Sequence, residues 1–170
     1  MKFRKLEING FKSFFDKTSF LIEDGLTGIV GPNGCGKSNI VEALRWCMGE
    51  NSAKSMRGTG MEDVIFSGTS NRASKNISEV TLLLDNKSKD LSSQYNQFEE
   101  ILVKRKIEKD KGSKYYINDK EVRARDVQTF FADMSTGAHS PSLISQGRIG
   151  QLVTAKPIER RSILEEAAGI

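Results

Sequence analysis

Eight residues carry the clearest chemistry in this chain: Gly31-Pro32-Asn33-Gly34-Cys35-Gly36-Lys37-Ser38, a match to GxxxxGK[ST]. Glycines in such a loop let successive backbone N–H groups turn inward and form an anion nest. The helix that follows adds the positive end of its dipole. Lys37 is placed to reach the β- and γ-phosphates of a nucleoside triphosphate, and the Ser38 hydroxyl to ligate Mg²⁺. The flanks supply the context that the motif needs. Leu26-Thr27-Gly28-Ile29-Val30 is the short apolar run expected of a strand buried on both faces. Downstream, Ile40, Val41, Leu44, Cys47 and Met48 recur at helical spacing, and Gly49 closes the helix. Strand, glycine-rich turn and helix together predict that the chain binds ATP or GTP.

Hydrolysis asks for more: an acidic metal partner and a residue that orients the attacking water. Thr81-Leu82-Leu83-Leu84-Asp85 reads as an apolar strand ending in such an acid, or simply as a core strand whose last residue is Asp85. Asn86 follows it, where a general base would be glutamate. Gln146, in Ser145-Gln146-Gly147 at the end of a short strand, can touch Mg²⁺ or position water; the alternative is a polar turn residue. Arg57 lies in the basic loop Ser52-Ala53-Lys54-Ser55-Met56-Arg57-Gly58, as a phosphate- or DNA-reaching arginine or a solvated charge. Lys104, Arg105, Lys106, Lys109, Lys111, Lys114, Lys120, Arg123 and Arg125 crowd one hairpin region with Tyr115 and Tyr116, against Glu108, Asp110, Asp119 and Glu121. Such a hairpin can track a phosphate backbone without reading sequence, or be an ordinary solvated face.

The chain has 170 residues, enough for one domain with a real core, and its 37% hydrophobic and 28% charged fractions are those of a soluble globular protein. No apolar run approaches the roughly 20 residues of a membrane helix. The alternating start Met1-Lys2-Phe3-Arg4-Lys5-Leu6-Glu7 lacks the apolar core of a secretory signal, which makes the cytoplasm the expected compartment. Cys35 and Cys47 have neither CxxC spacing nor a histidine cluster, so neither disulfide framework nor zinc site is expected. His139, the only histidine, reads as a loop residue. A net charge of +4 permits nucleic-acid binding without demonstrating it.

Around these residues the sequence predicts strands over 2–8 and 18–22, joined through Asn9-Gly10 and the Phe11–Asp16 stretch. A strand is expected at Val80–Leu84 and a hairpin at Ile101–Glu108 and Lys114–Asn118, with a tight turn at Asn118-Asp119. The polar stretch Asn86–Asn96 reads as a mobile loop. A helix near 124–134, a short strand at 142–145 and a last helix from Pro157, with Gly169 near its end, complete the chain.

Six segments occur here in one order: Gly10-Phe11-Lys12-Ser13-Phe14, GPNGCGKSNI (Gly31 to Ile40), Ser52 to Gly58, Met61-Glu62-Asp63-Val64-Ile65-Phe66-Ser67-Gly68, Ile144-Ser145-Gln146-Gly147-Arg148-Ile149 and Glu165-Glu166-Ala167-Ala168-Gly169-Ile170. In that order they resemble the SMC chromosome-partition proteins of bacteria, over essentially the whole chain. The resemblance implies a mixed α/β fold. That fold is the N-terminal lobe of an ABC-type ATPase head over 1–160, with an antiparallel β subdomain and a central sheet flanked by helices. The last helix, 157–170, would lead into a coiled coil. It implies ATP and Mg²⁺ as ligands, with Gly31, Pro32, Asn33, Gly34, Cys35, Gly36, Lys37, Ser38 and Asn39 around the phosphates. Lys12 and Ser13 would fall nearby, Ser38 and Gln146 on the metal, and Arg57 would link nucleotide to DNA.

The same resemblance demotes Asp85, since the family's acidic residues and signature motif belong to a C-terminal lobe. Cys35 departs from the family's usual serine and suggests thiol sensitivity. Implied partners are double-stranded DNA, the C-terminal lobe, a second SMC head, and kleisin and accessory subunits, with no membrane and a nucleoid-associated location. A self-contained P-loop enzyme using Asp85, or a related coiled-coil DNA-repair ATPase, are the competing readings.

Overall fold

A computed structural model of the chain describes residues 2–52, 60–87, 94–133, 143 and 153–168. Among the described residues, six strands alternate in side-chain direction and join into one antiparallel sheet. They are β1 (Lys2–Asn9), β2 (Thr18–Leu21), β3 (Ile77–Asp85), β4 (Glu100–Glu108), β5 (Gly112–Ile117) and β6 (Lys120–Val122), in the spatial order β2-β1-β3-β4-β5-β6. Register aligns Leu6, Leu82, Val103 and Ile117 in one row across the sheet, and Ile8, Val80, Arg105 and Tyr115 in the next. All eight are buried. Because side chains alternate, their neighbours Lys5, Leu83 and Leu102, and Glu7, Thr81, Lys104 and Tyr116, point to the other, more open face.

Helix α1 (Lys37–Cys47) crosses the buried face. Ala43, Trp46 and Cys47 are fully buried there, and the Cys47 thiol lies 3.6 and 3.4 Å from the carbonyls of Val80 and Val103. The helix stops as its sequence requires. Gly49 takes φ 101, its N–H reaches the Trp46 carbonyl at 3.2 Å, and the Glu50 N–H reaches the Arg45 carbonyl at 3.1 Å. This double closure, made possible by glycine's freedom at positive φ, satisfies carbonyls that a helix end leaves open. Helix α2 (Ala124–Asp133) is started by Asp126, whose carboxylate accepts from the Arg123 N–H at 2.9 Å. It buries Val127, Phe130 and Phe131, and Gln128 donates to the Gly49 carbonyl at 2.9 Å. A short 3₁₀ turn covers Met61–Val64, and α3 covers Pro157–Ala168.

The mixed α/β class and most expected elements are present. The β5–β6 connection is the two-residue turn expected at Asn118-Asp119, with φ 46 and 62, values those two residue types tolerate. One expectation fails. Residues 26–30 form no strand: Leu26 and Val30 are 98% and 92% exposed. An apolar run becomes a buried strand only if neighbouring strands pair with it, and none of the described strands does. Of the expected loop Asn86–Asn96, residues 86–87 and 94–96 are neither helix nor strand and 88–93 lie outside the described residues; Asn86 at its start is fully buried, its amide donating to the Tyr95 and Phe98 carbonyls at 3.2 and 2.9 Å. Of the expected strand at 142–145, only Leu143 lies within the described residues, where it packs against the core.

Burial ranks these positions energetically. Leu82→Ala, on the buried face, should lower unfolding free energy by about 2–5 kcal/mol in urea denaturation. Leu83→Ala, one residue away on the open face, should lower it by about 1 kcal/mol or less.

Candidate nucleotide site

The turn between β1 and β2 builds one wall. Phe14 N–H closes onto the Phe11 carbonyl at 2.8 Å, and the buried Phe11 ring packs 5.4 Å from Trp46 of α1. That anchors Ser13 beside the start of α1, where its hydroxyl accepts from the Asn39 side-chain amide at 2.8 Å. Gly36, with φ 93, ends the loop against the same hydroxyl: a Cβ there would sit 2.8 Å from Ser13 Oγ. Only glycine meets both the positive φ and that close approach.

Lys37 Nζ donates to the Gly31 and Pro32 carbonyls at 2.5 Å each, so its amine spans the loop and holds it curved. Gly34, at φ 79, supplies a second left-handed bend, and Ser38 occupies the first turn of α1, half-buried. Gly31 to Cys35 face solvent. The arrangement is a curved run of backbone donors with an ammonium and a helix N-terminus behind it, suited to a chain of phosphates.

Lys12 behaves differently from Ser13. Its backbone bends to φ 47 and its N–H donates to the Val64 carbonyl at 2.6 Å. Its amine is paired with the buried carboxylate of Glu42 on α1. Arg57 and Gln146 lie outside the described residues, as does His139.

Asp85 is far from this cluster. Register sets it across from Lys2 at one end of β1, whereas Asn9, at the other end, leads into the Ser13 turn. Seven residue steps at about 3.3 Å separate the two ends by about 23 Å. Asp85 instead accepts from Arg4 at 3.0 Å and from the Lys87 N–H at 2.8 Å. Those hydrogen bonds, the Lys87 amide first, hold its carboxyl below the ordinary aspartate range. It is a strand-end acid tied to its neighbours, not a metal ligand beside the loop.

The basic hairpin is split between two faces. Lys104, Lys106 and, across from it, Lys114 occupy the open face with Tyr116, whose ring lies 5.4 Å from the Lys104 amine. Arg105 points the opposite way, into the core at 2% exposure, which removes it from any outer contact surface. Its guanidinium donates to the carbonyls of Trp46 and Glu50 at 2.9 and 2.6 Å, to Asn51 Oδ1 at 2.8 Å and to Ser113 Oγ at 2.8 Å. It stacks 4.5 Å from each of the Trp46 and Tyr115 rings. Burial pulls its pKa down to about 10, still charged at neutral pH, and pushes the Tyr115 phenol up to about 12. Its role was readable from alternation: Ile101, Val103 and Ile107 are core residues of the same strand phase, and position 105 falls in it.

Loop, helix and sheet together form a mixed α/β lobe in which a glycine-rich turn leads into the helix that carries Lys37 and Ser38. Residues 2–147 match the family model described as the RecF/RecN/SMC N-terminal domain, and the chain belongs to that family. It is 58% identical over 170 residues to the chromosome partition protein Smc of Cereibacter sphaeroides and 54% identical over 170 to that of Rhodopseudomonas palustris. Each alignment takes in all of this chain but 15% of the relative, so the chain spans about one seventh of those proteins.

Among solved structures it superposes on an Smc head bound to the C-winged helix domain of ScpA with a TM-score of 0.86, at 29% identity, over 100% of this chain and 52% of that one. A structure from work on ATP-driven dimerization and DNA-stimulated activation of SMC ATPases gives 0.83 at 27% identity, covering 98% and 99%. The SMC head domain of Thermotoga maritima gives 0.71 at 33%, covering 92% and 52%.

The two thiols differ sharply in setting. Cys35 is exposed on the loop, while burial raises the Cys47 thiol to about 12. Ellman's reagent should therefore titrate Cys35 promptly in the folded chain and Cys47 only after denaturation.

Proposed function

We propose that this chain is the ATP-binding lobe of an SMC head that works in chromosome partition, organisation and segregation. The observation that carries the proposal is the loop of Gly31 to Ser38, curved around Lys37 and packed on Ser13, in a chain 58% identical along its whole length to a chromosome partition protein. Backbone N–H groups of Gly34 to Ser38 and the Lys37 amine would hold the β- and γ-phosphates. Asn33, Cys35 and Asn39 shape the loop. Mg²⁺ would be held by the Ser38 hydroxyl with Gln146, and supplies charge neutralisation between the phosphates. Arg57 is assigned the link between nucleotide and DNA.

The lobe holds nucleotide and leaves cleavage to other residues. Asp85 is remote and already hydrogen-bonded, which argues against a self-contained enzyme built on it. The apolar run at 26–30, exposed at Leu26 and Val30, fits a strand that pairs with the C-terminal lobe of the same protein. In the longer protein two heads would close over two ATP molecules. ATP-driven dimerization of a related SMC ATPase supports that step, and an Smc head bound to ScpA supports a kleisin and accessory subunits as partners. No helix among the described residues is long and apolar enough to cross a membrane, which agrees with a cytoplasmic, nucleoid-associated role. Double-stranded DNA is the expected polyanion, and relatives named for chromosome partition favour that role over repair.

Binding and turnover separate the readings. A fluorescent ATP analogue should bind the chain, and Lys37→Ala should weaken it by about 10- to 100-fold, since a charge-assisted contact to phosphate is lost. Turnover should be negligible until a C-terminal lobe is supplied; appreciable turnover by the chain alone, abolished by Asp85→Ala, would overturn the split site. For DNA, Lys104→Glu with Lys106→Glu, leaving Arg105 intact, should flatten the salt dependence of binding by roughly one unit of slope per lost phosphate contact. An unchanged slope would assign DNA to another surface.

A further inference from the structure

Arg105 occupies a position that an apolar residue would fill: between Val80 and Tyr115 in a buried row of the sheet. A buried cation brings a desolvation penalty, and apolar replacements of buried charges are often as stable or more so. What the guanidinium adds is geometry. Its planar fork reaches three separate segments at once: the last turn of α1 through the Trp46 carbonyl, the chain just beyond the helix through the Glu50 carbonyl and Asn51, and β5 through Ser113. Asn51 Oδ1 also accepts from the Tyr115 hydroxyl at 3.0 Å, which ties the same point to β5 a second time.

The other end of α1 is where phosphate would bind. Residues 31–35 are exposed, and the loop meets the body of the protein through Gly36 against Ser13. The helix therefore fixes where the loop lies. Its N-terminal half is held by Ser13–Asn39 and Lys12–Glu42, and its C-terminal end by Arg105.

We infer that Arg105 is a positioning residue for nucleotide: by fastening the end of α1 to β4 and β5, it sets the orientation in which α1 presents Lys37 and Ser38 to phosphate. This rests on the nucleotide-binding reading above. Coupling of this kind is reciprocal, so nucleotide at one end of α1 should be sensed at the other. Trp46, the only tryptophan, sits between Phe11 and Arg105 and reports that end.

The test uses Arg105→Lys, which keeps the charge but cannot reach all four acceptors, and Asn51→Ala, which removes one shared acceptor and leaves the guanidinium in place. Affinity for a fluorescent ATP analogue is measured at a temperature where circular dichroism reports each variant folded. Arg105→Lys should weaken binding about tenfold and Asn51→Ala by less, because small misplacements of phosphate-binding groups have large effects. Nucleotide should also shift Trp46 emission in the unsubstituted chain, and the shift should shrink in Arg105→Lys. Normal binding by the unsubstituted chain, with both variants equal to it in affinity and lower only in melting temperature, would overturn the inference alone. No binding by the unsubstituted chain would overturn the nucleotide reading and the inference with it.

Discussion

The fold depends on one docking: helix α1 laid across the inner face of a six-stranded antiparallel sheet. Burial of Ala43, Trp46 and Cys47 against Val80 and Val103 provides the apolar part of that contact. Apolar packing resists separation but tolerates sliding, because it is non-directional. The directional part comes from hydrogen bonds at the two ends, Ser13 to Asn39 near the start and Arg105 to the Trp46 and Glu50 carbonyls at the finish. The cation is set against the negative end of a helix dipole and between two aromatic faces, with the buried Glu50 carboxylate adding attraction from nearby. Together these keep Arg105 charged although its direct acceptors are carbonyl, amide and hydroxyl oxygens.

Much of this was legible in the sequence because local rules decide it. The glycine spacing of the phosphate loop, the helical recurrence of Ile40, Leu44 and Cys47, Gly49 as terminator and Asn118-Asp119 as a two-residue turn are each fixed within a few residues, and each matches the structure. What failed was decided elsewhere. Whether residues 26–30 become a strand depends on partners to either side, and apolar content alone cannot supply them. The polar stretch Asn86–Asn96 is loop where it is described, but the burial of Asn86 could not be read from it, because that depends on the carbonyls of Tyr95 and Phe98 brought round by the chain beyond.

Arg105 is the instructive case. Counted with Lys104 and Lys106 it looks like one unit of a basic stripe, since composition ignores direction. A strand has two faces, and a period of two sends position 105 inward with Ile101, Val103 and Ile107 while its neighbours face out. Charge clusters on strands therefore have to be divided by parity before they are assigned to a binding surface. Divided so, the hairpin presents lysines outside and a structural arginine inside.

The chemical character of the loop region follows from which groups α1 and its wall contribute. The single carboxylate of α1, Glu42, is turned to Lys12, whose backbone is bent to φ 47 to reach it. That pairing keeps a negative charge one turn from Ser38 from confronting phosphate directly, and leaves Lys37 and backbone N–H groups to set the local field. Such a surface favours binding a polyphosphate. The acid at the end of β3, Asp85, cannot serve, because a stretch of about 23 Å of extended strand lies between. On the function proposed above, binding and cleavage are separable by geometry: the groups that bind phosphate lie at the start of one helix, and those that complete the reaction would reach the loop from the exposed side of residues 31–35.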